Sequence, residues 1–255
     1  MLTNAQIKNI QSLKEKKYRT LYDCFVVEGR KMVDELLRSD YEIVNIFATE
    51  KYFADKDNIN TNIINKDIEK KITIISEKEL ERITSLKTPN EVLAIVKQKK
   101  TQHFDTKNQL VLALDDINNP GNLGTIIRLA VWFNVKNIVC SENTVDCYNS
   151  KVLQSTMGAI FHINILYTNL EQFLQDHKKE NIYATVLRNG QNIYQQNLTS
   201  EGIIILGNES HGISDNILRI INRPITIPCF ANAKDVESLN VSIACGIILS
   251  EFRRR

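Results

Sequence analysis

The sequence contains no apolar run near the roughly 18 residues that a membrane helix needs. Its opening stretch, MLTNAQIKNI, lacks the apolar core of a secretory signal, so we expect the chain in the cytoplasm. The five cysteines are odd in number and show no C-x-x-C spacing, which argues against a disulfide framework and a zinc knuckle. We find neither an internal repeat nor a low-complexity segment, and we expect no metal.

An excess of charge of one sign is also missing. The chain has 32 Lys+Arg against 30 Asp+Glu, a formal net charge of +2, so no overall field points to a polyanionic partner. A local basic strip would still be enough to bind phosphate groups. Its 255 residues are 43% hydrophobic and 24% charged, values that are ordinary for a globular protein of one large or two small domains.

Residues 1–98 predict a small α/β unit. Helices are expected over 4–17, over 30–38 and near 79–84. Strands are expected in DCFVVEG, EIVNIFAT, ITIIS and EVLAIV. The charged and aperiodic stretch that follows predicts a linker over 99–108.

Residues 109–255 predict a second α/β domain in which strands alternate with helices. The strands are nearly continuous runs of Val, Ile and Leu, which favours parallel strands buried on both faces. They are QLVLALDDI, KNIVCSE, HINILY, NIYATVL, GIIILG and PITIP, and helices are expected over 123–133, 151–157, 170–179, 214–221 and 239–253. A ligand of such a sheet binds beyond the carboxyl ends of its strands, so the loops there should carry the function.

The first of three such loops, 118–124, opens a helix. Asn122 is the predicted N-cap of that helix. Arg128 lies one turn after Gly124, and its side chain can reach back across the glycine to the helix N-terminus, where an anion is favoured. The pattern therefore indicates a small phosphate-binding device, although a capped helix with a surface arginine explains it equally well.

The second loop, 207–214, follows GIIILG. Gly207 and Gly212 allow close backbone approach or a positive φ. Glu209 directly follows a buried strand and needs water or a partner, for which Arg128 is the candidate. Glu209 could instead only cap a turn. We interpret His211 as a bystander, because an isolated loop histidine is usually solvated or hydrogen-bonded.

The third loop runs from Cys229 to Glu237, and Ser238 to Ser242 open a long apolar helix. Ser238 is the predicted cap, and pure capping is a strong alternative to any further role. Asn240 is a polar residue in the first turn of a helix that is otherwise largely Val, Ile, Ala, Cys and Leu. It needs a hydrogen-bond partner, which a ligand or a second chain could supply.

Taken together, the three loops resemble a known family. N-x-G-x-x-x-R from Asn122 to Arg128, L-G-N-E-x-x-G from Leu206 to Gly212, and I-P followed by S-L-N-V-S resemble the three motifs of the SpoU branch of the SPOUT methyltransferases. IKNIQSLKEKKYR and FVVEGRKMVDELL resemble the substrate-binding domain that is often joined to these enzymes. The likeness covers nearly the whole chain.

The resemblance implies more than the residues do. It implies a 2′-O-ribose methyltransferase of rRNA or tRNA that uses S-adenosylmethionine, with rRNA favoured. It also implies a homodimer joined through the C-terminal domain, a deep trefoil knot in that domain, and an N-terminal domain with a fold like that of RNA-binding ribosomal proteins. The cofactor-binding residues it implies are Leu187, Gly207, Asn208, Glu209, Ile227, Ser238 and Leu239.

Catalytic roles are predicted for four residues. Arg128 would clamp a phosphate and stabilise developing alkoxide charge, since an arginine stays protonated and is a poor base. Glu209 would orient Arg128, and Ser238 and Asn240 would hydrogen-bond ribose or cofactor. The predicted RNA contacts are Asn122, Arg128, Lys14, Lys17, Arg19 and Arg30, although the basic strip near the N-terminus could equally be a solvated helix face.

Two other functions stay open at this point. The first is a non-catalytic RNA-binding protein on the same fold, against which the intact catalytic set speaks. The second is a nucleotide-dependent oxidoreductase, since Glu142 ends the second strand of the domain, where such a fold places a ribose-binding acid. The missing G-x-G-x-x-G fingerprint argues against it. Departures from the family pattern, Cys229 after Ile-Pro and Pro89-Asn90-Glu91, bear on substrate choice more than on chemistry.

Overall fold

Two sheets in two compact units make up the chain, and the computed structural model describes residues 1–54, 66–100, 104–231 and 238–254. The first unit is Met1–Lys100 with Tyr148–Phe161, and the second unit is Thr101–Cys147 with His162–Arg255. Residues 101–103 of the predicted linker lie outside the described residues. None of the helices in the described ranges is both long and apolar enough to cross a membrane.

A four-stranded mixed sheet forms the first unit. Its strands are β1 (Cys24–Glu28), β2 (Ile43–Ala48), β3 (Ile72–Ile74) and β4 (Val92–Lys97), in the order β1-β4-β2-β3. β1 and β2 run antiparallel to β4, and β3 runs parallel to β2. The helices described before residue 100 are α1 (Asn4–Ser12), α2 (Lys16–Tyr22), α3 (Arg30–Leu37), α4 (Glu50–Ala54), α5 (Lys66–Glu69) and α6 (Glu77–Ile83). The four predicted strands are confirmed, whereas α4 and α5 had no clear periodic signal.

The predicted helix over 4–17 is wrong, because the chain turns between α1 and α2. Arg19 of α2 donates from its guanidinium to the backbone oxygens of Leu13 and Lys14, at 3.0 and 2.8 Å. These carbonyls follow the last turn of α1 and would otherwise need the next helical turn as a partner. A side chain satisfies them, so the helix can end there.

The second unit contains a seven-stranded sheet. Its strands are β5 (Leu110–Leu114), β6 (Asn137–Cys140), β7 (Asn164–Tyr167), β8 (Ile182–Thr185), β9 (Gln191–Asn192), β10 (Gly202–Leu206) and β11 (Arg223–Thr226). Their order is β7-β6-β5-β10-β8-β11-β9, and every neighbouring pair is parallel. All residues of β5 and β10 are buried. The prediction of parallel strands covered on both faces is therefore confirmed, and only the two-residue β9 was not predicted.

Two long helices of the second unit pack against each other. The helices after residue 100 are α7 (Pro120–Trp132), α8 (Ser150–Thr156) in the first unit, α9 (Leu170–Asp176), α10 (Asp215–Leu218) and α11 (Val241–Arg253). The Arg253 guanidinium of α11 donates to the backbone oxygens of Phe133 and Asn134, at 2.8 and 3.0 Å, just beyond α7. Gly246 of α11 faces Leu129 of α7, and a Cβ there would lie 3.6 Å from its methyl groups. α11 thus packs along α7.

One segment departs from the predicted domain over 109–255. Residues 148–161, which carry α8, pack with the first unit. The Tyr148 ring lies 4.3 Å from the Phe25 ring of β1, measured between centroids, and Gln154 donates to the backbone oxygen of Glu28. These contacts bury aromatic surface against β1 and belong to the first unit, and the second unit resumes at His162.

Candidate functional site

The first loop joins β5 to α7 over residues 115–119, so residues 120–124 of the predicted loop belong to the helix. Asn119 caps the helix, since its side-chain oxygen accepts from the backbone N–H groups of Gly121 and Asn122, at 2.8 and 3.2 Å. Pro120 fills the first helical position, where an N–H has no partner to lose. The predicted cap, Asn122, is wrong: it lies inside the first turn and is buried. Because Asn122 does not cap the helix, its side-chain amide can hydrogen-bond other groups.

The second loop, 207–213, follows β10 and closes on itself. The backbone N–H of Asn208 donates to the Gly212 oxygen at 3.0 Å, and the Gly212 N–H returns a bond to the Asn208 oxygen at 2.9 Å. A Cβ on Gly207 would lie 2.3 Å from the Gly212 carbonyl carbon, so no larger residue fits there. Gly212 has a φ of 72°, a conformation that favours glycine. Residues 209–211 form the exposed tip of this tight loop.

Asn208 holds the second loop in place. Its Nδ2 donates to the backbone oxygen of Asp116 at 2.8 Å, which ties the loop to the first loop. Its Oδ1 accepts from the backbone N–H groups of Ser210 and His211, at 2.8 and 3.1 Å. With its own N–H and carbonyl paired to Gly212, its polar groups are used within the loops. Asn208 therefore shapes the loop, and its contact with the cofactor stays a prediction.

The third loop joins β11 to α11. Asn240 caps α11, because its Oδ1 accepts from the backbone N–H and the hydroxyl of Ser242, at 2.9 and 2.6 Å. The predicted cap, Ser238, is wrong, since α11 begins at Val241 and the cap position falls on Asn240. Ser238 is exposed. Residues 232–237 of this loop lie outside the described residues.

Two side-chain hydrogen bonds join the three loops. Asn240 donates from Nδ2 to Asn122 Oδ1 at 3.0 Å, and Asn122 donates from Nδ2 to Glu209 Oε1 at 2.7 Å. The Asn240 end fixes which atoms donate in these two bonds. The Asn240 oxygen caps α11, so the Asn240 nitrogen faces Asn122 and donates to it. We call the series Asn240–Asn122–Glu209 the amide bridge. Asn122, a residue of the same chain, is thus the hydrogen-bond partner that Asn240 needs.

Arg128 lies on the exposed face of α7. Its guanidinium makes neither a hydrogen bond nor an ion pair with any described residue. The predicted pairing of Glu209 with Arg128 is wrong in this structure, since the Glu209 carboxylate accepts from Asn122 instead. Asn119 already occupies two backbone N–H groups at the start of α7. Attraction for an anion here therefore rests mainly on the Arg128 charge.

The predicted cofactor residues lie at neighbouring strand ends. Gly207 directly follows β10, Ile227 directly follows β11, and Leu187 lies two residues beyond β8, between those two strands in the sheet order. Leu187 is 68% exposed and Leu239, just before α11, is 47% exposed. Exposed leucines beside a glycine-based loop suit a flat, largely apolar ring with backbone groups at its edge, and so fit an adenosine.

Two residues predicted to touch RNA serve the first unit itself. Arg19 is 3% exposed, and its guanidinium is bound to the end of α1. Arg30 pairs with Glu91 at 2.6 Å, and its guanidinium lies 4.9 Å from the centre of the Tyr52 ring. The prediction for Arg19 is corrected, because a buried charged group is retained with its partners. Arg30 is half-buried, and its contact with RNA stays a prediction.

Lys14 and Lys17 remain on the surface of the first unit. Lys14 Nζ donates to the backbone oxygen of Thr84 at 3.2 Å. Lys17 lies 3.1 Å from Glu15, whose hydrogen bond and negative charge raise the pKa of Lys17. Both ammonium groups are exposed, so the predicted basic strip is represented by lysines and not by the arginines.

Comparison with known proteins follows the same division of the chain. The family model described as SpoU rRNA Methylase family matches residues 109–250, and the MRM3-like substrate binding domain matches residues 4–94. The chain is 31% identical over 253 residues to the 23S rRNA (guanosine(2553)-2′-O)-methyltransferase RlmP of Bacillus subtilis (strain 168), which covers 98% of this chain and 96% of the relative.

Solved structures are similar over both units. A TrmH-family protein from Porphyromonas gingivalis is 32% identical with a TM-score of 0.87, covering 100% of this chain and 99% of that one. An AdoMet-bound rRNA methyltransferase from Sinorhizobium meliloti is 28% identical with a TM-score of 0.83, covering 100% of this chain and 96% of that one.

Proposed function

This chain belongs to the SpoU rRNA methylase family, and we propose that it methylates the ribose 2′-oxygen of a guanosine in 23S rRNA. It is an S-adenosylmethionine-dependent RNA methyltransferase. The choice of substrate is supported by RlmP, which matches this chain over nearly its full length and acts on a guanosine of 23S rRNA. A second similar protein, from Neisseria meningitidis, is also named as a 23S rRNA guanosine-2′-O-methyltransferase.

The amide bridge is the observation that carries the catalytic assignment. It fixes the three motif loops to one another through side chains that come from α7, the second loop and the start of α11. Arg128 lies six residues after Asn122 on α7, is exposed and makes no ion pair with a described residue. Rigid placement of polar groups, together with an available cation, suits a methyl transfer, because in-line displacement depends on the position of the acceptor.

Arg128 acts as an electrostatic residue in this proposal. A ribose hydroxyl gains negative charge as it attacks, and a guanidinium can stabilise that charge and hold the adjacent phosphate. It stays protonated at accessible pH, so it is not the proton acceptor. The absence of a described partner leaves its fork of donors available for both tasks.

Glu209, Ser238 and Asn240 are assigned supporting roles. Glu209 uses one carboxylate oxygen for Asn122, which leaves the other for ribose or cofactor. Asn240 keeps the start of α11 in register with the first loop. The hydroxyl of Ser238 is exposed at the same end of the third loop, where it can hydrogen-bond a ligand.

S-adenosylmethionine supplies an electrophilic methyl group when bound. Leu187, Ile227 and Leu239 would pack against its adenosine, and backbone groups at Gly207 would hydrogen-bond it. The strand order that places the ends of β8, β10 and β11 side by side supports this set. These residues contribute binding and orientation, since none of the four carries a group that could take or give a proton.

The first unit is assigned to RNA binding. Lys14 and Lys17 expose ammonium groups that can track a phosphate backbone. The match to a substrate-binding domain over residues 4–94 supports this role. Asn122, once predicted as an RNA contact, uses both ends of its amide in the amide bridge and is assigned to positioning instead.

We further propose a homodimer formed through the C-terminal domain. Trp132 of α7 is 83% exposed and Ile243 of α11 is 57% exposed, and apolar side chains of this size on two packed helices favour a protein partner. The trefoil knot implied by the family and a cytoplasmic location, where 23S rRNA is found, belong to the same proposal.

Transfer of a labelled methyl group tests the function. The full chain is incubated with methyl-tritiated S-adenosylmethionine and unmodified transcripts of 23S rRNA, 16S rRNA and tRNA. We expect label only in 23S rRNA, recovered as 2′-O-methylguanosine after digestion. Label in tRNA would overturn the substrate, and cofactor binding by calorimetry without any transfer would favour the non-catalytic RNA-binding protein.

A further inference from the structure

His211 at the tip of the second loop has a fixed ring orientation. Its Nδ1 lies 3.2 Å from Asn208 Oδ1, and the side chain is otherwise exposed. Because a ring nitrogen can either donate or accept, the identity of the Asn208 atom decides what the imidazole does.

The Asn208 amide can take only one orientation. Its Oδ1 faces two backbone donors, the N–H groups of Ser210 and His211, and its Nδ2 faces the backbone oxygen of Asp116. Exchanging the two atoms would place an amide nitrogen against two N–H groups and an oxygen against a carbonyl oxygen. Three mismatched contacts rule out that exchange.

The His211 tautomer follows from this assignment. An amide oxygen cannot donate, so Nδ1 of His211 carries the hydrogen and donates to it. In a neutral imidazole the other nitrogen, Nε2, then has a free lone pair. An amide oxygen that holds an imidazole in this tautomer is the arrangement that prepares a histidine to accept a proton.

We propose that Nε2 of His211 accepts the proton of the ribose 2′-hydroxyl, directly or through one water, an inference that rests on the proposed function. The 2′-oxygen forms its bond to the methyl carbon as the carbon–sulfur bond breaks and its electron pair moves to sulfur. The hydroxyl proton passes to Nε2, and the resulting imidazolium later releases it to solvent. No oxidant or further reactant is needed.

The position of the loop supports a contact with the substrate. Glu209, two residues before His211, accepts from Asn122 on α7, the helix that carries Arg128. The loop contains only five residues from Asn208 to Gly212, and two backbone hydrogen bonds between these residues close it. Glu209 and His211 are therefore exposed together at one tip, on the side of the sheet where the three loops meet.

Other groups at these loops are poorer proton acceptors. Asp115 is buried and accepts from the Ser214 N–H at 2.7 Å, and Asp116 accepts from Asn118. Together with Glu209, which accepts from Asn122, they are the carboxylates that the loop after β5 and the second loop contribute, and each of them already accepts a hydrogen bond within the chain. Arg128 on α7 cannot deprotonate. An imidazole is the side chain best matched to general base catalysis near pH 7.

Nitrogen-15 NMR of the full chain tests the tautomer without any reaction. We expect His211 to show a protonated Nδ1 and an unprotonated Nε2 at pH 8, with the assignment made by comparison with His211→Gln. The opposite tautomer, with the hydrogen on Nε2, would overturn the proposal before any assay.

Single-turnover methylation across a pH series tests the role. Loss of a general base lowers rates by roughly 10²- to 10⁴-fold, so we expect His211→Gln and His211→Ala to fall by that factor at pH 8 with unchanged cofactor affinity. The wild-type rate should fall as the pH is lowered, because only the neutral ring accepts a proton, and both variants should lose this dependence.

His177→Gln is the matched control. Its Nδ1 also lies against a carbonyl oxygen, that of Phe173 at 2.7 Å, but it follows α9 and is in none of the three loops. We expect its rate and pH profile to match the wild type. Wild-type rates in both His211 variants would refute the role of His211 while leaving the proposed function standing. An inactive wild-type chain would remove the proposed function and this inference with it.

Discussion

Two arginines of the first unit, Arg19 and Arg30, differ from Arg128 of the second unit in what they are bound to. In the first unit, Arg19 is buried against the end of α1, and Arg30 is paired with Glu91 beneath the Tyr52 ring. In the second unit, Arg128 is exposed and has no partner among the described residues. The residue type is the same, but of these three arginines only Arg128 has a guanidinium available to a ligand.

Carboxylates show the same contrast. Glu79 of α6 accepts from the backbone N–H groups of Ser76 and Leu2 and from the Ser76 hydroxyl, and these bonds, the Ser76 backbone first, lower the pKa of Glu79 to about 2. Glu209 accepts from one side chain, that of Asn122. Groups with all their bonding capacity used hold a fold, whereas groups with capacity left over can act on a substrate.

The largest effect is expected for Arg128→Ala. Removing one preorganised charge-stabilising donor should lower single-turnover methylation by roughly 10²-fold or more, with cofactor affinity nearly unchanged. Arg128→Lys should recover little, because an ammonium cannot reproduce a planar fork. Arg219→Ala, an exposed arginine that follows α10, is the control and should behave as wild type. Near-normal rates in Arg128→Ala would show that the exposed guanidinium of Arg128 does not act in catalysis.

A smaller loss is expected for Asn122→Ala, which removes the centre of the amide bridge. Glu209 and Asn240 then lose a shared partner, and misplacement of catalytic groups by about 1 Å can cost up to roughly 10²-fold. We expect a fall in the methylation rate of roughly 10- to 100-fold, measured at saturating cofactor. Asn119→Ser, which keeps a capping oxygen at the start of α7, should retain most of the activity. Equal rates in the two variants would mean that the bridge is only a fold contact.

Arg19→Ala should change stability and leave the chemistry intact. The backbone oxygens of Leu13 and Lys14 lose a charged donor, which lowers the free energy of unfolding by about 1.5–3 kcal/mol. Urea unfolding followed by circular dichroism measures this change, with the exposed Lys16→Ala as control. Methylation at 25 °C should stay at the wild-type rate. A stability unchanged from wild type, or a loss of RNA affinity in the folded variant, would contradict the structural role of Arg19 and support its predicted contact with RNA.

The smallest effect concerns Glu79 and pH. Its pKa is lowered from 4.5 to about 2 in the folded chain, so its carboxylate stabilises the fold above about pH 4.5 and loses that effect as the pH falls towards 2. The gap in unfolding free energy between wild type and Glu79→Gln should therefore be present at pH 7 and shrink at pH 3. Glu77→Gln, an acid in the first turn of the same helix, is the comparison. A gap that widens in acid would contradict the assignment.

Much of the fold around the three loops can be predicted from short stretches of the sequence. The apolar runs predict β5 and β10, and turn residues at their ends predict the loops, because both signals depend on neighbours along the chain. The Asn119-Pro120 pair also marks the start of α7, although Asn122 was chosen as the cap.

What local sequence does not contain is the pairing between distant polar groups. Asn122 meets Glu209 and Asn240 only because the sheet order and the packing of α11 on α7 bring them together. Arg19 likewise is one basic residue among several until its burial is known. His211 was interpreted as a bystander, since its ring orientation depends on how Asn208 reaches Asp116.

The order of the parallel sheet has a consequence for synthesis of the chain. β5 pairs with β6 on one side and with β10 on the other, and β10 leaves the ribosome about ninety residues after β5. At a synthesis rate of roughly 5–20 residues per second, one side of β5 stays unpaired for several seconds. That side is the edge of LVLAL, an apolar strand able to pair with another chain. Nascent chains of this enzyme therefore pass through a stage in which one strand edge is open to pairing with another chain, and a chaperone that covered this edge would favour folding over aggregation.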